Sequence, residues 1–153
     1  MRRADVVDAE GTPSRLELEG PELRRQVTVW DGDGHAATDM STYPDVSVVC
    51  GALETSEVDR NAATNPVLIV EVLSDTTEAY DRGEKFAHYR RLPSLREYLL
   101  LSQHQPRIES YRRNAQGVWE LAEAGAGETL TLAALEGVRL DVDLIYRDPL
   151  AAS

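Results

Sequence analysis

One cysteine, one lysine, one phenylalanine and three histidines are all the chain carries of these types, and it has no long hydrophobic run. Each scarcity narrows the possibilities. A lone Cys50 can neither close an internal disulfide nor build a Cys-x-x-Cys metal site, so a structural zinc is not expected and a reducing cytoplasm is the expected setting. A membrane-spanning helix needs about 20 consecutive apolar residues, and the opening MRRADVVDAEG has no apolar stretch after its two arginines. Neither a membrane span nor a secretory signal is therefore expected. His35, His88 and His104 have no metal-ligand spacing. Basic residues are also in deficit, 16 against 27 acidic for a formal net charge of -11. That balance excludes a protein that holds nucleic acid merely by coating phosphates with cations.

What is present is 153 residues, 42% hydrophobic and 28% charged, the size and composition of one globular domain around one core. The charge is unevenly spread. Residues 81–113 hold eight basic residues (Arg82, Lys85, Arg90, Arg91, Arg96, Arg107, Arg112, Arg113) and four acidic ones (Asp81, Glu84, Glu97, Glu109), a local +4. The remainder is then -15, so a phosphate-facing surface would be sought in that segment. Among these cations stands Lys85, the one lysine in the chain.

Residues 1–20, rich in charge, Gly and Pro and without a sustained period, are expected to be a loose lead-in to a single domain over 21–153. Arg25 to Trp30 alternates as a strand, with Asp31-Gly32-Asp33-Gly34 as a hairpin turn rather than a calcium loop, since Thr42 stands where a bidentate Glu would be required. Asp45 to Cys50 predicts a second strand. Pro66 to Ser74 (PVLIVEVLS) predicts a strand buried on both faces, with Glu71 its one anomaly. After Asp75-Thr76-Thr77-Glu78 the period becomes helical and runs to Leu92, before Pro93. Asp81, Lys85 and Tyr89 share one stripe of that helix, and Phe86 lies off it. Gly83 weakens the helix by about 1 kcal/mol relative to Ala, which suggests close packing there. Leu95 to Ser102 reads as another inner strand. Arg107 to Arg113 and Val118 to Ala124 form a hairpin about Asn114 to Gly117. TLTL, a Gly137 turn, VRLDVD and a helical turn at LIY follow. The expected fold is α+β, a mixed sheet flanked by a helix.

The constellation with chemical potential is Asp45, Glu71 and Lys85. A carboxylate on a strand as apolar as that of Glu71 requires a cation beside it. Two strand carboxylates meeting at one point would suit Mg²⁺, which takes one or two carboxylates and keeps several waters, with the Val72 carbonyl as a further oxygen. Lys85 could then orient water or steady a phosphoryl transition state. On pattern alone, a plain internal Glu–Lys pair outweighs this reading.

YPDVSVV (Tyr43 to Val49), NPVLIVEVLSDTTEAYDRGEKFAHYRR (Asn65 to Arg91) and LREYLLLS (Leu95 to Ser102) resemble the Uma2, or DUF820, family of endonucleases, which has the PD-(D/E)XK restriction-endonuclease-like fold. The likeness runs from Tyr43 to the C-terminus and reverses the pattern-only weighting. It implies that Pro44-Asp45 supplies the PD element, Glu71 the D/E element, and Lys85 the lysine role, migrated to the helix because Leu73 stands two residues after Glu71. It also implies that Asp81 and Tyr89 hold Lys85, and that Ser74 caps the helix or lies near the metal. The expected activity is Mg²⁺- or Mn²⁺-dependent hydrolysis of DNA by a cytoplasmic enzyme, with a homodimer suited to cutting two strands. The family's N-terminal sheet-packing helix is not matched in residues 1 to 42, where the chain looks truncated or divergent, and Glu17, Glu19 and Glu22 are equal candidates for a substitute carboxylate. That departure raises a second expectation, an inactive nuclease-fold binding module.

Cys50 is expected to be a small buried residue, and Trp30, Trp119, Tyr98 and Tyr111 to pack on strands. Arg90, Arg91, Arg112 and Arg113 read first as a solvated face and second as phosphate contacts.

Overall fold

The apolar run around Glu71 needs both of its faces covered, and the structure covers both. A computed structural model of the chain describes residues 2–7, 13–18, 26–29, 40–42, 44–57 and 62–148, with side chains in the last two ranges. Five strands form its main sheet: β5 (Val46–Val48), β7 (Leu68–Val72), β8 (Glu97–Leu101), β9 (Arg107–Arg113) and β10 (Trp119–Gly125), in the order β10-β9-β8-β7-β5. β7 and β8 run parallel, joined through helix α1, and the other neighbours are antiparallel. Helix α1 is α-helical over Glu78–Tyr80, π-helical over Asp81–Lys85 and α-helical over Phe86–Tyr89. The fold is α+β with a mixed sheet, as the periodicity predicts.

Alternation along the strands divides the core in two. On one face Ile69, Leu73, Tyr98 and Leu100 meet Phe86 and Tyr89 of the helix and Leu92 beyond its end at Tyr89, with Tyr111 and Trp119 packed beside them. Phe86, off the polar stripe, is the centre of that layer: its ring lies 5.2 Å from Tyr98, 4.6 Å from Tyr111 and 5.3 Å from Trp119. On the other face Val48, Leu68, Leu99 and Ile108 meet Leu130, Leu132 and Val142. The last three come from the hairpin β11 (Thr129–Thr131) and β12 (Arg139–Asp141), the turn between them, and helix α2 (Val142–Tyr146). Fully buried Glu97 fastens that layer. Its carboxylate accepts from Ser110 Oγ at 2.6 Å and from the amides of Ala133 and Ala134 at 2.7 and 2.9 Å, with Arg112 Nε at 3.4 Å. Three hydrogen bonds and a nearby guanidinium thus compensate the buried charge, which is the condition for its being tolerated.

Several expectations change. Within residues 1–20, read as an irregular lead-in, β1 (Arg2–Val7) and β2 (Pro13–Leu18) pair antiparallel from Arg2↔Leu18 to Val7↔Pro13. Cross-strand backbone bonds need no long apolar period, so the pattern gave no warning. β3 (Gln26–Val29) falls where a strand was expected, but its antiparallel partner β4 (Met40–Thr42) begins well beyond the Asp31–Gly34 turn signal, and the connecting residues lie outside those described. β6 (Ala62–Ala63) adds a short parallel neighbour to β3. The expectation that a sheet-packing helix is missing from residues 1 to 42 falls partly on positions outside the described residues, where Trp30, His35, Glu19 and Glu22 also lie; the described parts of that region are strands. Cys50 is exposed rather than buried, because β5 ends at Val48 and the chain leaves the core before it. No helix among the described residues is long and apolar enough to cross a membrane.

The β9–β10 turn follows its sequence signal. Asn114 Oδ1 accepts from the amides of Gln116 and Val118, and Gly117 takes a φ of +79°, where a side chain would be strained. Gly83 behaves otherwise. It is exposed, and a methyl group built there meets nothing within 4 Å, so close packing is not its reason. Gly83→Ala should therefore raise the unfolding free energy by about 0.5–1 kcal/mol through helix propensity alone, read as a higher urea midpoint at unchanged slope.

Candidate active site

The antiparallel register Val46↔Val70, continued by one residue, sets Asp45 opposite Glu71. Proline precedes Asp45 at the head of β5, and Glu71 occupies the helix-facing side of β7 between Ile69 and Leu73, which both belong to the core. Helix α1 then returns over the sheet and carries Lys85 onto Glu71. Lys85 Nζ lies 2.5 Å from Glu71 Oε1 and 3.3 Å from Asp81 Oδ1. The pair is largely enclosed, with side-chain exposures of 12% for Lys85 and 5% for Glu71. Asp45, by contrast, is exposed, and its Oδ2 accepts from the Val72 amide at 2.7 Å. The three side chains singled out in the sequence thus gather at one end of the β5–β7 pair.

The supporting residues divide the work differently from the expected scheme. Asp81, itself buried, contacts Lys85 as expected. Tyr89 instead donates its hydroxyl to Glu71 Oε1 at 3.2 Å, so it braces the carboxylate, while Lys85 Nζ lies 6.0 Å from its ring centre. Ser74 belongs to the helix entry: its hydroxyl is 2.8 Å from Thr77 Oγ1, and its carbonyl accepts from the Glu78 amide. Val72 presents its amide to Asp45, and its side chain is half exposed.

The electrostatics follow from counting charges. Burial pushes the Glu71 carboxyl above the ordinary carboxylate range; Lys85 opposes this, and Asp45 and Asp81 add to it. Burial acts to depress Lys85, but Glu71 and Asp81 outweigh it and hold the ammonium above its ordinary value. The causes differ, burial for Glu71 and the two adjacent carboxylates for Lys85, and with Asp45 nearby the site holds three carboxylates and one ammonium, an excess of negative charge that attracts a proton or another cation. The chemistry of this oxygen-rich pair at Asp45 and Glu71 fits a hard divalent cation. Among the described residues no three acidic, His or Cys side chains form a fuller ligand set, and Mg²⁺ does not require one, since it is held by one or two carboxylates and water.

Sequence reading missed Arg82, Arg107 and Glu109. Arg82 makes a bidentate contact with buried Glu109 and a second with Glu78 at 3.0 Å; Arg107 adds a 3.2 Å contact to Glu109. No local signal marks this cluster, because its members meet only through the sheet register. The basic segment is also less available than its composition suggests. Arg112 is spent on Glu97 and the Thr131 carbonyl, and Arg113 on the Pro93 and Arg90 carbonyls and the Trp119 ring. Arg90, Arg91 and Arg96 are exposed.

Two measurements follow. Lys85→Met alone, which strands the Glu71 charge in the core, should cost about 3–5 kcal/mol, and Lys85→Met with Glu71→Leu should be near neutral in urea unfolding. His104 Nε2 lies 2.6 Å from Asp75, which raises its pKa from the ordinary 6.5. A raised histidine contributes fully below pH 6.5 and loses its contribution as pH rises through the folded value, so the His104 NMR titration should fall back toward 6.5 in Asp75→Asn.

Comparison with known proteins agrees with this architecture. The Uma2 family, described as "Putative restriction endonuclease", matches residues 21–143. The uncharacterized proteins slr1290 and sll1609 of Synechocystis sp. (strain ATCC 27184 / PCC 6803 / Kazusa) are 42% identical over 110 residues and 39% identical over 88. These matches cover 72% and 58% of this chain and 56% and 50% of the relatives, so the chain spans about half their length. The crystal structure of a putative nuclease belonging to DUF820 from Anabaena variabilis aligns with a TM-score of 0.54 at 18% identity, covering 78% of this chain and 63% of its own. That likeness concerns the fold. The match across 21–143 and the 42% identity place the chain, by descent, in the Uma2 family.

Proposed function

We propose that the chain is a Mg²⁺- or Mn²⁺-dependent endonuclease that hydrolyses phosphodiester bonds in DNA. The observation that carries this reading is the meeting of Asp45, Glu71 and Lys85 across β5, β7 and α1, with Nζ 2.5 Å from Oε1. Family membership supports a nucleic-acid substrate. Asp45 and Glu71 would hold the metal, with the Val72 carbonyl as a further oxygen. When bound, the metal supplies Lewis-acid stabilisation of the charge that builds on the phosphoryl oxygens. Lys85, an ammonium with three donors, orients the attacking water and donates to the same developing charge. Asp81 keeps Lys85 over the site, and Tyr89 fixes the carboxylate of Glu71. The water oxygen bonds to phosphorus as the opposite P–O bond breaks in line, and the proton given up by the water ends on the departing oxygen. A homodimer would present two such sites to the two strands of a duplex.

A second reading, a nuclease fold that binds without cutting, is favoured by a specific feature: Lys85 and Tyr89 already engage Glu71 Oε1, and the Val72 amide engages Asp45. One set of measurements separates the two. Supercoiled plasmid incubated with the protein and Mg²⁺ or Mn²⁺ should be nicked and linearised. Asp45→Ala, Glu71→Ala and Lys85→Ala should each lower the rate by about a hundredfold or more. Cleavage that survives any of them refutes the assignment. Calorimetry with Mn²⁺ should show stoichiometric binding lost in Asp45→Ala; its absence in the unaltered chain favours the non-catalytic module.

A further inference from the structure

The π-helical turn Asp81–Lys85 attaches to the sheet at three points on three neighbouring strands. Lys85 meets Glu71 on β7, the Asp81 carbonyl accepts from Tyr98 OH on β8 at 3.1 Å, and Arg82 grips Glu109 on β9 with both oxygens of the carboxylate. The register accounts for the alignment. Glu71 lies across from Leu100, Leu100 from Glu109, and Glu109 from Glu123, so the two buried carboxylates stand in one row across the sheet, two strands apart. Arg107, bridging Glu109 and Glu123, extends the row to the sheet edge.

Apart from the Tyr89 hydroxyl, which donates to Glu71, the rest of the helix–sheet contact is made by Phe86, Leu92 and the Tyr89 ring, aliphatic and aromatic groups whose attraction has little directionality. Such a face resists separation but only weakly resists rotation of the helix about its own axis, and Lys85 sits at the end of a long, flexible stem. A bidentate guanidinium–carboxylate contact is directional, and that of Arg82 lies three residues before Lys85 in the same turn. Glu109 is almost fully enclosed and the Arg82 side chain is 33% exposed, so the contact is partly shielded from the solvent that weakens surface pairs.

We infer that Arg82 and Glu109 are positioning residues, a clamp that fixes the rotation of the π turn and thereby holds the Lys85 ammonium on Glu71. The inference rests on the proposed role of Lys85 in the site, but it concerns geometry and can be read without catalysis. Because Lys85 is the one lysine, labelling the protein with ¹⁵N-lysine gives a single side-chain ammonium signal. In the intact protein this buried, paired ammonium should exchange its protons with water slowly at fixed pH. In Arg82→Gln exchange should be about tenfold faster, with a moved resonance, and in Glu109→Gln, which keeps an acceptor for Arg82, the change should have the same direction and smaller size. The double variant should add little to Arg82→Gln, since both changes remove one interaction. Leu132→Ala, which destabilises the opposite face, serves as the control and should leave the signal in place.

An unchanged Lys85 signal in both clamp variants, despite lowered urea midpoints, would overturn the inference, as would an equal acceleration in Leu132→Ala. If Arg82→Gln does not fold, Glu109→Gln decides alone. A negative plasmid assay alongside displaced Lys85 signals would refute the nuclease reading and leave the clamp standing.

Discussion

The contact between Lys85 and Glu71 is the constraint around which the rest of the molecule is arranged. A carboxylate between Ile69 and Leu73 on a central strand would be destabilising by several kcal/mol without a cation, and an ammonium beneath a helix would be equally so without a carboxylate. Each makes the other tolerable. The helix must therefore cross the sheet at the level of Glu71, and the parallel β7–α1–β8 connection, with its aromatic layer about Phe86, brings it there. Evolution has easier ways to fill such a site, since apolar residues of similar size would pack at least as well. Asp45 and Asp81 add negative charge beyond what one ammonium neutralises, an arrangement that stability alone does not require.

The electrostatic design has two levels. At the β5–β7 end, three carboxylates against one ammonium leave the proposed metal site short of positive charge. At the β9–β10 end, Arg82 and Arg107 meet Glu78, Glu109 and Glu123, and every carboxylate there has a guanidinium partner. The two clusters lie in one cross-strand row and share one helical turn. The overall acidity of the chain fits this division: the cations of residues 81–113 are largely committed to internal partners, and Arg90, Arg91 and Arg96 stand exposed.

Much of this was legible in the residues. Glu71 announced itself as the one charge in an otherwise apolar run, Lys85 as a lone lysine one helix later, and Asp45 as an acid following proline at a strand head. The resemblance to the Uma2 family drew the three together. Other features had no local signature. Tyr89 was placed on the right stripe, but its hydroxyl goes to Glu71, a choice made by helix rotation. Gly83 suggested crowding where there is open space. Arg112 and Arg113 read as a solvated pair, yet each is drawn inward by a carboxylate or carbonyls from distant parts of the chain.

Sequence alone determined the strands of the main sheet, the helix that crosses it and their faces, because period 2 and helical spacing are local consequences of backbone geometry and of burying apolar side chains. It also determined that something cationic must lie beside Glu71, because desolvation of a charge is a property of the strand that carries it. Only the tertiary structure decided which strands became neighbours, and hence that Glu71 and Glu109 fall in one row beneath a single turn containing Arg82 and Lys85. Register is set by packing and hydrogen bonding between segments far apart in the chain, and a shift of one residue would have turned either carboxylate to the opposite face.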